Sequence, residues 1–401
     1  MKILQINVVY NKGSTGKIVN DIHTELVRNG HESVICYGRG EKTHEKNVFK
    51  TCGELYSKVN NFASRLTGLM YGGCFWSTRR LISIIKKQRP DVVHLHCLNG
   101  YFVNVYRLIS WLKESGIKTI LTLHAEFMHT ANCPHAFECD KWLVGCGKCP
   151  RLKAETKTIF FDGTHRSWRK MKKAFDGFDD LTVVSVSPWL QERAERSPIL
   201  KDLKHTTVFN GLDTDIFKPT ESCLLEEYGL SGKKIIFHAT PNFDDDPNNL
   251  KGGCYVIEVA RRMPDAVFAV AGDFSRGLAV PENIVLLGNV SDQELLAKWY
   301  TIADVTLLTS KRETFSMVVA ESLCCGTPVV GFRAGGPETI AIPEYSEFVE
   351  YGDVEGVIAK IKSIFASKDR FVDISNDAAY RYSKKRMCDD YKAKYEERIR
   401  Q

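Results

Sequence analysis

The 401-residue sequence lacks any long hydrophobic run, and no stretch approaches the roughly 18 apolar residues of a membrane span. Its first residues turn polar too soon for a secretory signal. Internal repeats, low-complexity tracts and long linkers are also missing. The cysteine count of 13 is odd, which argues against a fully paired secreted framework. We therefore expect a cytoplasmic protein whose thiols are reduced unless they bind a metal.

Two glycine signatures of nucleotide-binding proteins are absent. The segment Gly13-Ser-Thr-Gly16-Lys17 resembles a Walker A loop, but Asn11 stands where that loop needs its first glycine and Ile18 where it needs Ser or Thr. No G-x-G-x-x-G follows the first strand of either half, which disfavours a nicotinamide oxidoreductase. We expect Gly13–Gly16 to form a flexible turn between a strand and a helix. Its N–H groups could hold an anion, or it could simply be a tight turn.

The chain also lacks a large excess of either charge. It carries 55 basic and 49 acidic side chains, for a net charge of +6. That balance does not suggest a nucleic-acid binder. Split at Asn210, however, residues 1–210 carry 32 basic and 19 acidic side chains, a net of +13. Residues 211–401 carry 23 and 30, a net of −7. The two halves are therefore expected to face different kinds of partner.

Short apolar runs alternate with amphipathic stretches, a rhythm that predicts parallel sheets covered by helices and hence an α/β fold. The rhythm restarts after Gly232, so we expect two six-stranded halves. The predicted strands are Ile3–Val9, Ser33–Tyr37, Asp91–His96, Lys118–Leu123, Leu181–Val186 and Thr206–Phe209, then Lys234–Ala239, Ala266–Ala271, Ile284–Leu287, Val305–Leu308, Pro328–Val330 and Phe348–Val349. We predict domains at 1–210 and 211–380, and a charged helix at 381–401 that packs back on the first domain.

The strongest motif lies in the second half, where Glu313 precedes a predicted helix at Ser316–Cys324 and Glu321 lies inside it. The free N–H groups of such a helix start, around Thr314–Ser316, suit a phosphate. An ionised Glu321 on an otherwise apolar helix face is costly unless it binds hydroxyls or a cation. A ribose diol is a natural partner, although two solvated acids at this spacing are common.

Four cysteines form a cluster within 17 residues, in a Cys-rich insertion at 129–150. The Cys146-Gly-Lys-Cys149 pair has the spacing of a zinc knuckle, whereas the pair Cys133 and Cys139 is more widely spaced than usual. We expect a structural Zn²⁺; unliganded thiols and disulfides are the alternatives. A closed four-cysteine site leaves no open coordination position, so no catalytic metal is expected.

An ordered set of motifs surrounds the Glu313–Glu321 pair, and together they resemble the retaining nucleotide-sugar glycosyltransferases of family 4. The motifs are Asn210-Gly211-Leu-Asp213, Gly272-Asp273, Leu287-Gly288-Asn-Val290 and Gly335-Gly336-Pro-Glu338. The match extends, more loosely, to Gly13/Gly16, Leu123-His124-Ala125 and Val186-Ser187. The resemblance implies a GT-B fold, with two Rossmann-like domains facing each other across a cleft. The first would bind the acceptor and the second a UDP- or GDP-sugar.

The resemblance also implies roles for single residues. Glu313 would contact the donor sugar and Glu321 would hold the ribose, with Thr314, Phe315 and Ser316 in the same donor site. Lys251 would neutralise the donor diphosphate, Gly16 would approach the diphosphate or the acceptor, and His124 would lie near the reacting sugar. His94 and His96 are interpreted as structural. One departure is that the family's usual Arg before Lys251 is missing, and three acids at Asp244–Asp246 stand there instead.

Basic stretches at 79–89 and 151–175 suit an anionic membrane surface, although a solvated helix face is the simpler reading. With the family's habits, they favour an acceptor carried on a polyprenyl diphosphate, in assembly of an O-antigen, capsule or exopolysaccharide at the inner face of the cytoplasmic membrane. The alternatives are a transferase or phosphorylase acting on a free sugar, and a non-catalytic subunit that binds sugar nucleotides or glycans. No nucleic-acid partner is expected.

Overall fold

A computed structural model describes residues 1–366 and 373–400 and divides the chain into two compact units. Unit 1 comprises Met1–Val208 and Met387–Gln401, and unit 2 comprises Phe209–Arg386. The division after Val208 falls two residues before the end that the sequence predicted for the first domain. Among the described residues, no helix has the length and apolar character needed to cross a membrane.

The centre of unit 1 is a seven-stranded, all-parallel sheet in the order β3-β2-β1-β4-β5-β6-β7. Its strands are β1 Lys2–Asn7, β2 Glu32–Tyr37, β3 Val48–Lys50, β4 Val92–Leu95, β5 Lys118–Leu123, β6 Leu181–Ser185 and β7 Lys204–Thr207. The prediction of six strands was therefore wrong: β3 is a three-residue edge strand, too short to give an apolar pattern. The sixth predicted strand, Thr206–Phe209, was placed two residues too far along the chain, because β7 spans Lys204–Thr207.

Helices cover the sheet of unit 1, as parallel connections require. They are α1 Gly13–Arg28, α2 Glu54–Thr67, α3 Phe75–Gln88, α4 Val105–Ser115, α5 Phe127–Thr130, α6 Leu152–Glu155, α7 Thr164–Phe175 and α8 Pro188–Arg196, with a 3₁₀ turn at Lys141–Leu143. The predicted turn at Gly13–Gly16 is instead the first turn of α1. The backbone N–H of Asn11 donates to the Gly16 oxygen at 3.2 Å, which closes the connection from β1.

Unit 2 repeats the design with a six-stranded parallel sheet in the order β10-β9-β8-β11-β12-β13. The strands are β8 Lys234–Phe243, β9 Ala266–Phe274, β10 Ile284–Gly288, β11 Val305–Leu308, β12 Val329–Phe332 and β13 Ser346–Val349. The helices are α9 Leu224–Glu227, α10 Gly253–Arg262, α11 Gln293–Ile302, α12 Met317–Cys324, α13 Gly336–Ile340, α14 Val354–Ala366 and α15 Ile374–Tyr382, with a 3₁₀ turn at Pro343–Tyr345.

The last helix, α16 Lys384–Arg400, contributes its buried face to unit 1. Four of its side chains join the core beneath the first sheet: Met387, Cys388, Tyr391 and Tyr395. The Tyr395 hydroxyl lies 2.7 Å from His94 Nδ1, and the Tyr391 hydroxyl lies 3.0 Å from Thr122 Oγ1. These buried contacts fix the C-terminal segment on strands β4 and β5.

The strand orders place one reversal in each sheet, between β1 and β4 in unit 1 and between β8 and β11 in unit 2. In open parallel sheets, ligands bind beyond the carboxyl ends of the strands at such a switch point. In unit 2 the loops that follow β8 and β11 carry Lys251 and Glu313. The fold thus brings two sequence-predicted site residues to the switch point of their sheet.

Candidate functional site

Lys251 and Glu313 form the centre of the site in unit 2. The Lys251 Nζ lies 2.5 Å from Glu313 Oε1, although 62 residues separate the two in the chain. Gly252 has φ +68° and approaches β11 so closely that a Cβ there would lie 2.4 Å from the Thr309 oxygen. The Thr309 hydroxyl in turn donates to the Lys251 backbone oxygen at 2.8 Å. Only glycine fits at position 252, and its close packing fixes the backbone position of Lys251.

The Gly335-Gly336-Pro-Glu338 motif holds the Glu313 loop. Glu313 N donates to the Ala334 oxygen at 3.0 Å, and Gly336 N donates to the Glu313 oxygen at 2.9 Å. A Cβ on Gly336 would lie 2.4 Å from the Thr314 oxygen, so the two segments touch through the backbone. The Glu338 carboxylate accepts from the N–H groups of Ala334 and Gly335 and closes the turn. This motif therefore acts on Glu313 by positioning it.

Ser316 stands directly before α12 with φ +82°, a left-handed conformation that is uncommon for a residue with a side chain. Its Oγ is buried and makes no hydrogen bond within the described part of the chain. The helix begins at Met317, one residue later than predicted, so Ser316 directly precedes the N–H groups that a helix start leaves without partners inside the helix. A strained backbone, an unpaired donor and a helix start coincide here, as expected of an anion site.

Glu321 lies in α12 and accepts a hydrogen bond from the Tyr300 hydroxyl at 3.0 Å. Burial and the neighbouring carboxylate raise the pKa of Tyr300 well above its ordinary range, so the phenol stays a donor. Glu321 itself is half-buried, so part of its carboxylate remains within reach of solvent. Sequence reasoning missed Tyr300, since a tyrosine in an amphipathic helix gives no signal until the helix is packed.

Two of the three acids before Lys251 form hydrogen bonds within their own loop. Asp244 accepts from the side-chain amides of Asn242 and Asn249 at 2.7 and 2.5 Å. Asp246 accepts from the backbone and side chain of Asn248. These carboxylates shape the loop by Asx turns, which explains how acids are tolerated beside a lysine that would face phosphate.

In unit 1, His124 directly follows β5, at the carboxyl edge of the sheet. Its Nε2 lies 3.2 Å from Nδ1 of His96, whose Nε2 lies 3.2 Å from Gln5 Oε1. Burial lowers the pKa of His124 to about 4, so its imidazole is neutral near pH 7. His96, interpreted from sequence as structural, thus contacts the predicted site residue itself. Gly16, in the first turn of α1, follows β1 at the same edge.

The four clustered cysteines line one cavity of about 20 Å³, together with Trp142, Lys141 and Thr164 among others. None of the four is in a disulfide. Among residues 1–366 and 373–400, no three His, Cys, Asp or Glu side chains already stand at coordinating positions. The four cysteines predicted to bind zinc therefore line one cavity, but their sulfur atoms do not lie at coordinating distances from a common point.

A buried ion pair anchors the Cys-rich insertion, and sequence reasoning missed it. The Glu126 carboxylate is fully buried and lies 2.5 Å from Arg193 Nε on α8. It also accepts from the Ala136 N–H at 2.7 Å. Burial opposes its ionisation, but His129, Arg193 and the Ala136 N–H outweigh it and lower the pKa of Glu126 to about 2. An acid inside the apolar run Ala125-Glu126-Phe127-Met128 was the available signal.

Comparisons with known proteins agree with this geometry. Residues 15–216 match the family model described as "Glycosyltransferase Family 4", and residues 248–386 match "Glycosyl transferases group 1". One relative is the putative colanic acid biosynthesis glycosyl transferase WcaC of Escherichia coli, 21% identical over 98% of both chains. Another is the N-acetyl-alpha-D-glucosaminyl L-malate synthase of Bacillus anthracis, 26% identical over 69% of this chain and 66% of the relative.

Solved structures share the fold over nearly the whole length of the chain. HepE of Anabaena, in complex with UDP, superposes with a TM-score of 0.69 at 14% identity, covering 99% of this chain and 100% of its own. Sucrose-phosphate synthase of Thermosynechococcus elongatus gives 0.68 at 15% identity, with 99% and 98% covered. At this identity the likeness concerns the fold, which is that of GT-B transferases with two Rossmann-like domains. On the family matches, the chain belongs to glycosyltransferase family 4 and is a glycosyltransferase.

Proposed function

We propose that unit 2 binds a nucleotide-sugar and that the enzyme transfers the sugar, with retention, to a saccharide. The observation that carries the proposal is the meeting of Lys251 and Glu313 at the β8/β11 switch point. The buried, unpaired hydroxyl of Ser316 at the start of α12 supports it. HepE has been solved with UDP and with UDP-glucose, a donor of the proposed kind.

Each group has a chemical task in this proposal. Lys251 and the N–H groups at the start of α12 stabilise the charge that develops on the diphosphate as it leaves, the role of preorganised donors in catalysis. Glu313 accepts hydrogen bonds from sugar hydroxyls, and its turn fixes the angle of approach. Glu321 binds the ribose diol, and the Tyr300 hydroxyl holds its carboxylate in place. Thr314 and Phe315 belong to the same segment, where Phe315 packs on Tyr382 and supports the backbone.

The proposed mechanism does not use a pair of carboxylates as glycosidases do. Another group must therefore accept the proton of the acceptor hydroxyl. In a front-face substitution the leaving phosphate takes that proton. His124, neutral near pH 7, can accept or donate a hydrogen bond to a sugar hydroxyl without adding charge. We assign acceptor binding to unit 1, with His124 held through His96 and Gln5.

Release of nucleoside diphosphate tests the proposal and separates it from a non-catalytic subunit. The full chain is incubated with UDP- and GDP-sugars, with and without a lipid extract that contains polyprenyl diphosphate saccharides. We expect release from one donor class, accelerated by the extract, with the anomeric configuration kept in the product. Donor binding with no turnover under any condition would instead identify a binding subunit.

We further propose that the acceptor is a saccharide on a lipid diphosphate in bacterial surface-polysaccharide assembly. Two observations support this setting. WcaC, similar along its whole length, is named for colanic acid biosynthesis. Helices α3 and α7 also expose basic side chains, which would attract anionic lipid: Arg79, Arg80, Lys86, Lys87, Arg166, Arg169, Lys170 and Lys173. A free-sugar acceptor would make those residues dispensable for turnover.

We also propose a structural Zn²⁺ at Cys133, Cys139, Cys146 and Cys149. The ligands suit this metal, because four thiols line one cavity of about 20 Å³. That volume is enough for one water-sized species such as a metal ion. Because the sulfurs are not yet at coordinating positions, zinc would draw them inward and release their protons. The Lys141 ammonium donates to the Lys148 oxygen at 2.6 Å and already shapes the Cys146–Cys149 turn.

Metal analysis of the purified full chain tests the zinc proposal. We expect about one equivalent of zinc, lost in a Cys146→Ser/Cys149→Ser variant. The matched control is Cys223→Ser, an exposed cysteine in unit 2, which should keep the metal. Less than about half an equivalent in the unmodified protein, or a mass that shows disulfides among these four, would contradict the proposal.

A further inference from the structure

Helix α2 in unit 1 is built with its apolar side turned outward. Leu55, Val59 and Phe62 recur at spacings of four and three and so share one face, and they are 77%, 56% and 56% exposed. The buried residues of the helix are two serines, Ser57 and Ser64. A helix of a soluble domain normally buries its apolar stripe and exposes its polar one. Here that order is reversed.

The reversal is fixed by the contacts on the inner side of α2. Ser57 Oγ donates to the Gly100 oxygen at 3.1 Å. Ser64 Oγ lies 3.6 Å from the Met70 sulfur. Both contacts need a small polar side chain against the body of unit 1. Rotating the helix to bury Phe62 would break them, so the outward stripe is a property of the fold.

Further apolar side chains extend this stripe at both ends of α2. At its start, the Trp76 N–H donates to the Tyr56 hydroxyl at 3.2 Å, which places Phe75 and Trp76 beside the first turn. At its end, the Ile159 N–H donates to the Arg65 oxygen at 2.9 Å, which brings in the segment Ile159–Phe161. All eight side chains are more than half exposed: Leu55, Val59, Phe62, Phe75, Trp76, Ile159, Phe160 and Phe161. We call this set the α2 surface.

The elements that carry the α2 surface are strongly basic. Residues 54–67, 75–88 and 157–175 contain twelve cations and two acids. The cations are Lys58, Arg65, Arg79, Arg80, Lys86, Lys87, Lys157, Arg166, Arg169, Lys170, Lys172 and Lys173. Both acids are occupied: Glu54 accepts from Arg39 at 2.7 Å, and Asp162 accepts from the N–H groups of Thr164 and Cys149. The positive charge around the apolar residues is therefore nearly uncompensated.

We infer that the α2 surface docks the enzyme on an anionic lipid bilayer. Exposed Phe and Trp side chains, a helical apolar stripe and a margin of Lys and Arg are the features of segments that lie in the plane of a membrane interface. Charge complementarity selects this occupant, because a lipid surface offers a continuous negative field to twelve cations. The inference rests on the proposed function, since a membrane-borne acceptor gives such a surface its use.

Vesicle flotation of the full chain tests the inference. The probes are phosphatidylcholine vesicles with and without phosphatidylglycerol, in low and high salt. We expect binding to the anionic vesicles, reduced at least tenfold by Leu55→Ser/Val59→Ser/Phe62→Ser. Charge reversal at Lys170, Lys172 and Lys173 should reduce binding in low salt in particular. The matched control replaces three exposed apolar residues elsewhere, Val27→Ser/Tyr380→Ser/Ile399→Ser, and should bind as the unmodified chain does.

Several outcomes would overturn the inference. These are equal flotation of the α2 variant and the unmodified chain, no flotation of the unmodified chain, and an unmodified dimer that the α2 variant turns into a monomer. The last would identify a second copy as the occupant. Thermal shift by nucleotide-sugars is measured in parallel and should be the same for both chains, because the α2 surface lies outside the donor site. Flotation without any nucleotide-sugar effect would reject the proposed function and leave the docking surface standing.

Discussion

Replacing Lys251 with alanine should lower kcat by about 10²–10³-fold, the effect of removing one preorganised donor to developing negative charge. The reason is its place: the ammonium projects from the loop after β8, beside Glu313 and next to the switch point of the sheet. Without it, the departing diphosphate loses a cation, and Glu313 remains as an uncompensated acid beside it. Nucleotide release from the selected donor is the measurement.

Lys234→Ala is the matched control for that experiment. Lys234 is also ion-paired in unit 2, to Asp304 at 2.9 Å, but it begins β8 and so lies at the opposite edge of the same sheet. It should keep nearly the whole rate, because exposed ion pairs contribute little to stability. Equal losses in the two variants, or full activity without Lys251, would contradict the role of this lysine.

Glu126→Ala should destabilise unit 1 by about 3–5 kcal/mol, since it leaves the Arg193 guanidinium, whose side chain is only 13% exposed, without its partner. In a domain of this size that corresponds to a fall of roughly 6–20 °C in Tm. The Arg193 guanidinium is packed 5.1 Å from the Trp142 ring and 5.2 Å from the Trp189 ring, so it has little freedom to reach water. Glu138→Ala, at an exposed position of the same insertion, should leave Tm nearly unchanged.

The pH dependence gives a second readout for Glu126. Its pKa falls from the ordinary 4.5 to about 2 in the folded chain, so its contribution is complete above pH 4.5 and is lost as the pH drops toward 2. The stability difference between the unmodified chain and Glu126→Ala should narrow over that window. A Glu126→Leu/Arg193→Leu double variant should recover part of the loss. A single variant as stable as the unmodified chain would show that the pair contributes nothing.

The parallel sheets could be predicted from the sequence because their buried strands are short runs rich in apolar and β-branched residues, such as Lys118–Leu123 and Val305–Leu308, between amphipathic helices. Strand β3 was not predicted, because three residues at the edge of a sheet are too few to show a hydrophobic pattern. The start of α1 was not predicted correctly, because Gly13 and Gly16 favour a turn locally. Packing against β1 instead extends the helix to these residues. The outward direction of the α2 stripe could not be predicted, because an amphipathic period does not say which side of the helix packs against the domain.

The candidate site divides in the same way. Glu313 and Glu321 were predicted from the motif that they share, and Lys251 was predicted from the resemblance to the family. The partners that orient them were not: Tyr300 reaches Glu321, and Thr309 and Gly336 hold the two loops, only after the sheet of unit 2 has formed. His96 was interpreted as structural, since a histidine inside a strand gives no sign that its ring faces His124. Contacts between residues that lie far apart in the chain become visible only in the folded structure.

The most direct test of the central claim, that unit 2 binds a nucleotide-sugar through this site, is calorimetric titration of the full chain and of Glu321→Ala. The titrant is the nucleotide-sugar that releases diphosphate most rapidly. Because the Glu321 carboxylate would bind the ribose, its loss should raise Kd at least tenfold, whereas Glu282→Ala, a substitution outside the site in the same unit, should leave Kd unchanged. A Glu321→Ala variant that keeps the full donor affinity would contradict the account.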